Sequence, residues 1–181
     1  MPMTAALPEM SLPEWLVLTI LRQQPAHGFA VAQLTAAGGD LGRVWQIPKA
    51  VVYRSIGRLL DAGLIVPEGT EPGLGPQRTV YAATDGGRAA AQRWLHEPVE
   101  HVRDIRSELL LKLAFLDRAG EDAADLLHAQ RAVLEPLADA IESRRAASEG
   151  FDATLLAWRR ATAVAALDFI DMVTPAESRQ P

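Results

Sequence analysis

The apolar residues of this chain recur at helical spacing over most of its length. Ser11 and Glu14 have the spacing of a capping box, which predicts a first helix that begins there and ends before Pro25. A second, shorter helix is expected from Phe29 to Ala37, where glycines stop it. The first helix is too apolar for a surface position and is predicted to be mostly buried, through Leu12, Trp15, Leu16, Leu18, Ile20 and Leu21.

A third helix is predicted between Pro48 and Gly63. Its apolar residues share one face and are Val52, Ile56, Leu59 and Leu60. The opposite face and its flanks are small or basic and hold Lys49, Ala50, Tyr53, Arg54, Gly57 and Arg58. A buried face opposite a small and basic one is what a helix in the major groove of DNA requires, because small residues permit close approach.

Two short strands follow the third helix. Residues 64–66 and 79–82 are rich in β-branched or aromatic residues, and the Gly/Pro-rich loop between them is too long for a tight hairpin turn. Three helices, a strand, a loop and a second strand occur in the order of a winged helix-turn-helix, with this loop as the wing. Gln77 and Arg78 stand at the base of the wing, within reach of phosphate or the minor groove. The loop opens no helix, so its glycines do not predict a nucleotide-binding loop.

The remainder of the chain is predicted to be helical. Thr84 can cap a helix through Leu95, a second helix is expected over 104–116, and a long one follows Gly120. Pro136 inside the long helix predicts a kink or a break. The last helix, over 152–173, carries an apolar stripe of Leu155, Trp158, Thr162, Ala166, Phe169 and Val173. The predicted fold is α+β and mostly α, with a winged helix-turn-helix domain over residues 11–95 and a helical region over residues 103–174.

Composition narrows the class of protein. The 181 residues are 49% apolar and include no cysteine, which excludes disulfides and thiolate metal sites and fits a reducing cytosol. The first residues lack the basic and apolar regions of a secretory signal. Asp168 and Asp171 interrupt the most apolar part of the C-terminal region, so no membrane span is expected. A cytoplasmic protein without a membrane partner is therefore expected.

Charge is distributed unevenly along the chain. Residues 1–88 carry seven basic and seven acidic side chains, whereas residues 89–181 carry eleven against sixteen. No acidic residue occurs between Leu41 and Leu60, although the net charge of the protein is −5. A cationic segment free of carboxylates favours contact with a polyanion, most simply double-stranded DNA. The alternative at this point is a solvated basic face.

Four segments in this order resemble the PadR family of bacterial transcriptional regulators. They are Pro25–Phe29 (PAHGF), Val52–Leu59 (VYRSIGRL), Gly63–Ile65 (GLI) and Tyr81–Arg88 (YAATDGGR). Leu109–Phe115 (LLLKLAF) and the two later helices are similar to the dimerisation region of the subgroup that includes virulence activators. The resemblance implies a homodimer held by C-terminal helices, with each third helix in a major groove of a palindromic operator. It also implies a transcriptional repressor in most members, an activator in some, and responses to small aromatic effectors.

The candidate site residues fall into two groups, one for DNA contact and one for effector binding. The candidates for DNA contact are Lys49, Ala50, Tyr53, Arg54, Arg58, Gln77 and Arg78. Trp94 and Trp158 are candidates for binding an aromatic effector, with a place in the core or in a dimer interface as the alternative. The competing function is a winged-helix module for protein–protein assembly whose basic face binds no specific DNA sequence.

The remaining histidine and acidic side chains indicate neither a metal site nor a catalytic site. His27 at the start of a helix is more typical of a capping residue than of a ligand. His96, Glu97, Glu100 and His101 are irregularly spaced, which favours a solvated loop over a metal site. The sequence contains no nucleophile elbow, P-loop or metal-binding helix motif. No enzymatic activity, no catalytic residue, no metal and no cofactor are therefore expected.

Overall fold

The computed structural model describes residues 9–72 and 77–174. The chain forms two compact units, the first ending at Leu95 and the second beginning at His96. Seven α-helices and three β-strands occur in the described part, so the protein is mostly helical with a small antiparallel sheet. The fold class predicted from the sequence is confirmed.

The helices of the first unit surround an apolar core. They are α1 (Leu12–Gln23), α2 (Gly28–Leu34), α3 (Lys49–Asp61) and α4 (Asp85–His96). Helix α1 is buried on nearly all sides, as predicted, and contacts α3. The predicted apolar face of α3 faces inward, with Val52, Ile56 and Leu59 buried and Leu60 half-buried. Gly63, with φ of +66°, provides the left-handed turn that ends α3.

The second helix is shorter than the sequence predicted, because it ends at Leu34 and not at Ala37. The buried hydroxyl of Thr35 donates to the carbonyl oxygens of Val31 and Ala32, which satisfies acceptors at the end of the helix. The backbone N–H groups of Leu41 and Gly42 then donate to the carbonyl of Leu34. Local hydrogen bonds of this kind end the helix before the glycines are reached.

Three antiparallel strands form the sheet: β1 (Ala26–His27), β2 (Ile65–Glu71) and β3 (Arg78–Ala83), in the order β1-β3-β2. The two-residue β1 was not predicted, since two residues carry no periodic signal. Strand β2 continues to Glu71, whose backbone is the register partner of Arg78 in β3. The pairing of the two strands is interrupted by a bulge between Pro67 and Gly69. The wing loop is therefore shorter than predicted, and its glycines at 73 and 75 lie outside the described residues.

The second unit begins with irregular helical turns and ends in a helical hairpin. A 3-10 turn (Val102–Asp104) and a π-helical turn (Ile105–Leu109) precede α5 (Leu110–Ala119), in place of the single helix predicted over 104–116. Helices α6 (Ala124–Ala146) and α7 (Gly150–Val173) pack along each other. Helix α6 continues through Pro136, so the predicted interruption is not a break in the helix.

Candidate nucleic-acid interface

The exposed face of α3 carries the residues that the sequence selected. Lys49, Ala50, Tyr53, Arg54 and Arg58 are all exposed, and all lie opposite the buried face of Val52, Ile56 and Leu59. No ion pair forms at Arg54 within the described ranges, so its guanidinium group is available to an external acceptor. An α-helix that presents arginine beside small residues can place hydrogen-bond donors against base edges in the major groove.

The ring of Tyr53 lies close to the backbone at the start of α2. A Cβ atom at Gly28 would lie only 2.8 Å from Cε1 of Tyr53, so a larger residue at position 28 would shift the ring. The side chain of Tyr53 is nevertheless 47% exposed. Gly28 therefore leaves room for the ring beside the first turn of α3.

A polar groove of about 470 Å³ joins α3 to the base of the wing. Among the residues that line it are four predicted DNA-contact residues, Lys49, Tyr53, Gln77 and Arg78, together with His27 and Phe29. The Nζ atom of Lys49 lies 5.3 Å from the centroid of the Phe29 ring, and Cζ of Arg78 lies 4.6 Å from it. Sequence reasoning missed Phe29 as a site residue, although it belongs to the PAHGF segment that carried the family resemblance.

Arg58 has a second partner that the sequence did not predict. Its Nη1 atom donates to Oε1 of Glu14 at 2.8 Å, and the Glu14 side chain is 8% exposed. The other carboxylate oxygen of Glu14 accepts a hydrogen bond of 2.8 Å from the backbone N–H of Ser11. Glu14 was predicted only as part of the helix cap. Its carboxylate also ties α1 to α3, and Arg58 is consequently oriented by the protein itself.

The environment of Glu14 favours its charged form. Burial raises the pKa of this carboxyl, but hydrogen bonds from Arg58 and Ser11 and the positive charge of Arg58 outweigh burial, so its pKa lies below 4.5. The folded pKa is thus lower than the unfolded one. The resulting stabilisation is present above about pH 4.5 and is lost as the pH falls through the lowered pKa.

A Glu14→Gln variant is therefore expected to lose about 1–2 kcal/mol of unfolding free energy at neutral pH, because the charge-assisted hydrogen bonds weaken. The difference from the unsubstituted protein should shrink as the pH falls below 4.5, since the carboxyl is then protonated. Urea unfolding across this pH range measures both values. A pH-independent difference would contradict the ion-pair role of Glu14.

His27 acts as a capping residue. Its Nδ1 atom accepts a hydrogen bond of 3.0 Å from the backbone N–H of Ala30, at the first turn of α2. Its Nε2 atom lies 3.7 Å from Oε2 of Glu71 in β2. The structural role that the sequence favoured for His27 agrees with this geometry.

The two tryptophans proposed for effector binding lie in different units. Trp94 is 2% exposed, and its ring stacks on Trp15 with centroids 5.5 Å apart and planes within 3°. This places Trp94 in the core of the first unit, which is the alternative that the sequence left open. Trp158 is 68% exposed on α7 and lines an apolar groove of about 560 Å³ within the second unit.

The apolar groove has a positively charged rim. Apolar surface comes from Val102, Ile105, Trp158, Ala166 and Phe169, whereas guanidinium groups come from Arg103, Arg106 and Arg159.

Among residues 9–72 and 77–174, no group of three or more His, Asp or Glu side chains is arranged to hold a metal ion. The helices of the same ranges include none that is both long and apolar enough to cross a membrane.

The first unit is a winged-helix domain. Its helices α1, α2 and α3 are followed by the β2–β3 ribbon, and the short strand β1 lies directly before α2. Residues 17–93 match the family described as "Transcriptional regulator PadR-like family". That segment contains the four sequence segments quoted above, so the resemblance to this family of transcriptional regulators is confirmed over residues 17–93. No curated protein matches the chain.

Solved structures of related regulators resemble the chain over most of its length. PadR of Bacillus subtilis in complex with operator DNA is 22% identical, with 92% of this chain and 99% of that chain covered and a TM-score of 0.45. The same protein in complex with p-coumaric acid is 20% identical, with 94% and 100% covered and a TM-score of 0.42. The PadR-like regulator BC1756 of Bacillus cereus is 16% identical, with 91% and 95% covered and a TM-score of 0.41. Because these TM-scores lie below 0.5, the family assignment depends on residues 17–93.

Proposed function

We propose that this protein is a cytoplasmic transcriptional repressor that binds an operator in double-stranded DNA. The observation that carries the proposal is the exposed face of α3, where Arg54 is available and Ala50 and Gly57 leave room for a groove wall. The described segment around α3 contains no acidic side chain between Leu41 and Leu60. Of the cations on α3, Arg58 is paired with Glu14, whereas Lys49 and Arg54 form no ion pair among the described residues. Cations of this kind bind phosphate-rich surfaces and can read base edges once the helix is seated.

The proposed DNA contacts divide into two groups. Arg54, with Ala50 and Tyr53, is proposed to meet base edges, since these residues project from the exposed face of α3. Lys49, Gln77 and Arg78 line the groove at the wing base and are proposed to meet the phosphate backbone. Arg58 is proposed to contact DNA through the donors that its ion pair with Glu14 leaves available, since its side chain remains 64% exposed.

A homodimer through the second unit is proposed from the exposed seam of α7. The seam residues are apolar or small, alternate at spacings of four and three, and are Phe151, Leu155, Trp158, Thr162, Ala165, Phe169 and Met172. Such alternation is the pattern of helices that pack in pairs. Phe151, Trp158 and Met172 are 78%, 68% and 75% exposed, which is unfavourable for large apolar side chains unless a second surface covers them.

A dimer would present two copies of α3, so the operator is proposed to be palindromic with half-sites about one helical turn apart. Footprinting on the DNA upstream of the gene tests this arrangement. Two protected half-sites related by a dyad are expected. Weak protection that is independent of sequence at physiological salt would instead favour the assembly-module alternative.

A small aromatic effector is proposed as the signal that releases the DNA. The apolar groove on α7 supports this proposal because Trp158 and Phe169 offer aromatic faces beside the guanidinium groups of Arg106 and Arg159. Trp94 does not contribute to this groove, since its ring is buried against Trp15 in the first unit. The effector groove and the dimer seam share Trp158, Thr162, Ala165 and Phe169, so effector binding and dimer association would be coupled.

An Arg54→Ala variant is expected to weaken operator binding by about 1–3 kcal/mol, because a bidentate contact to a base edge is lost. A gel-shift titration at fixed salt measures this loss. The matched control is Arg144→Ala, which removes the same exposed charge from α6. Equal affinities for Arg54→Ala and Arg144→Ala would remove Arg54 from the DNA contacts.

A further inference from the structure

One aromatic ring connects the third helix to the wing. Lys49 is the first residue of α3 and Arg78 is the first residue of β3, yet both cations lie against the ring of Phe29 in α2. Lys49 also approaches the ring of Tyr53, with Nζ 5.8 Å from its centroid. A ring attracts a cation through its negative face, so Phe29 attracts two positive charges that belong to different elements.

These two charges are not neutralised within the groove. Across the described residues, neither Lys49 nor Arg78 forms an ion pair. Glu71 is the register partner of Arg78, but its Oε2 atom lies 3.7 Å from Nε2 of His27 and Glu71 does not line the groove. Two cations that line one groove without a counter-charge favour the binding of an anion in that groove.

The other polar groups of the groove suit the same anion. Gln77 and Tyr81 line it and offer an amide N–H and a hydroxyl group as hydrogen-bond donors. Cations combined with neutral donors are the side chains that contact phosphate oxygens in protein–DNA complexes. The groove lies at the first turn of α3, so a DNA backbone that borders the helix would pass over it.

We propose that Phe29 is a positioning residue that braces Lys49 and Arg78 into a single clamp for a DNA backbone phosphate. This inference rests on the proposed DNA-binding function and assigns a role to a residue that itself donates no hydrogen bond to DNA. The ring orders both long side chains before DNA arrives, so binding does not have to restrict their rotamers. The clamp also sets the position of the wing base relative to α3.

Gel-shift titrations with operator DNA at several salt concentrations test the clamp. Phe29→Leu is expected to weaken binding about tenfold and to shallow the salt dependence, because two cation–π contacts that order the cations are lost. Phe29→Tyr keeps the ring and should bind within about twofold of the unsubstituted protein. In a Lys49→Gln/Arg78→Gln background, Phe29→Leu should change the affinity by less than about twofold, because no cation remains to be braced.

The Lys49→Gln and Arg78→Gln variants leave the ring and its packing in place, so they report on the clamp even where Phe29→Leu lowers stability. Each should shallow the salt dependence, and their losses should not add. Full affinity in Phe29→Leu, or an equal loss in the doubly substituted background, would overturn the clamp while leaving DNA binding intact. Failure of the unsubstituted protein to bind DNA would overturn the proposed function itself.

A free phosphate compound is the other source of the same chemistry. Calorimetric titration with inorganic phosphate separates the two sources. No saturable binding at about 1 mM is expected, since a single phosphate lacks the contacts made by the rest of a DNA backbone. Saturable binding in that range, lost in Lys49→Gln/Arg78→Gln, would assign the groove to a free phosphate compound and overturn the DNA backbone as its occupant.

Discussion

Replacing Trp94 by alanine is expected to lower the free energy of unfolding of the first unit by about 3–5 kcal/mol, as for other large aromatic residues in cores. The side chain is 2% exposed, and its ring stacks on Trp15 of α1, so truncation leaves a cavity between α1 and α4. The core of the first unit is closely packed, with Leu16 and Leu18 of α1 fully buried, so little movement is available to fill such a cavity. Chemical denaturation measures the loss.

Trp94→Phe is the matched control, because it retains an aromatic ring against Trp15 and should lose less than the alanine variant. An effector-binding role for Trp94 predicts the opposite pattern, with little loss of stability and a large loss of ligand response. A loss below about 1 kcal/mol for Trp94→Ala would contradict its place in the core.

Replacing Lys112 by alanine is expected to destabilise the second unit by about 3–5 kcal/mol, because a buried ion pair loses one partner. Lys112 is 1% exposed, and its Nζ atom donates to the carbonyl oxygen of Glu97 at 2.7 Å and lies 2.8 Å from Oε1 of Glu108. The substitution leaves both acceptors without this donor and removes a long apolar stem from the core. Denaturation and hydrogen exchange of the α5 amides measure the effect.

Two further observations separate the roles of the Lys112 stem and its charge. Lys112→Met keeps most of the apolar stem, so its smaller loss would isolate the contribution of the ammonium group. Burial lowers the pKa of Lys112, and the hydrogen bond and charge of Glu108 offset this only in part, so its pKa lies below 10.5. The unfolded chain then binds more protons between the two pKa values, and stability should rise with pH in that window. Identical pH dependence in Lys112→Met would contradict this assignment.

Sequence reasoning predicted the elements that have strong local signals. The capping box at Ser11, the proline before α3 and the left-handed glycine at Gly63 each act through the backbone of their own turn. Helix α6 continues through Pro136, so the break that was one of the two outcomes expected there does not occur, whereas the kink stays a prediction. Local chemistry therefore sets where most elements begin and end, whereas packing against a neighbour can sustain a helix past an unfavourable residue.

In the candidate site, too, local sequence predicts some features and tertiary packing decides others. The exposed face of α3 follows from helical periodicity, because polar residues must lie opposite Val52, Ile56 and Leu59. Phe29 and Glu14 escaped prediction, since each acts on a residue that is distant in the chain, Arg78 and Arg58 respectively. Contacts of this kind leave no periodic trace in a single sequence.

The buried face of helix α7 could not be predicted from the sequence alone. The sequence predicted the helix and an apolar stripe through Leu155, Trp158 and Phe169. The buried residues of α7, which packs on α6, are Leu156, Ala163, Ala166 and Ile170, and of these only Ala166 belongs to the predicted stripe. Both faces are apolar, so periodicity cannot choose between them. The choice depends on which face complements α6 in shape and volume.

Residue order was enough to predict the family resemblance over residues 17–93, the winged helix and the basic face of α3, because these depend on spacing, turn chemistry and charge within short segments. Three-dimensional packing was needed to bury Trp94 and to pair Arg58 with Glu14. It was equally needed to bring Lys49 and Arg78 to one ring. Those contacts join residues that are far apart along the chain, so they form and stabilise the protein only once the core has folded.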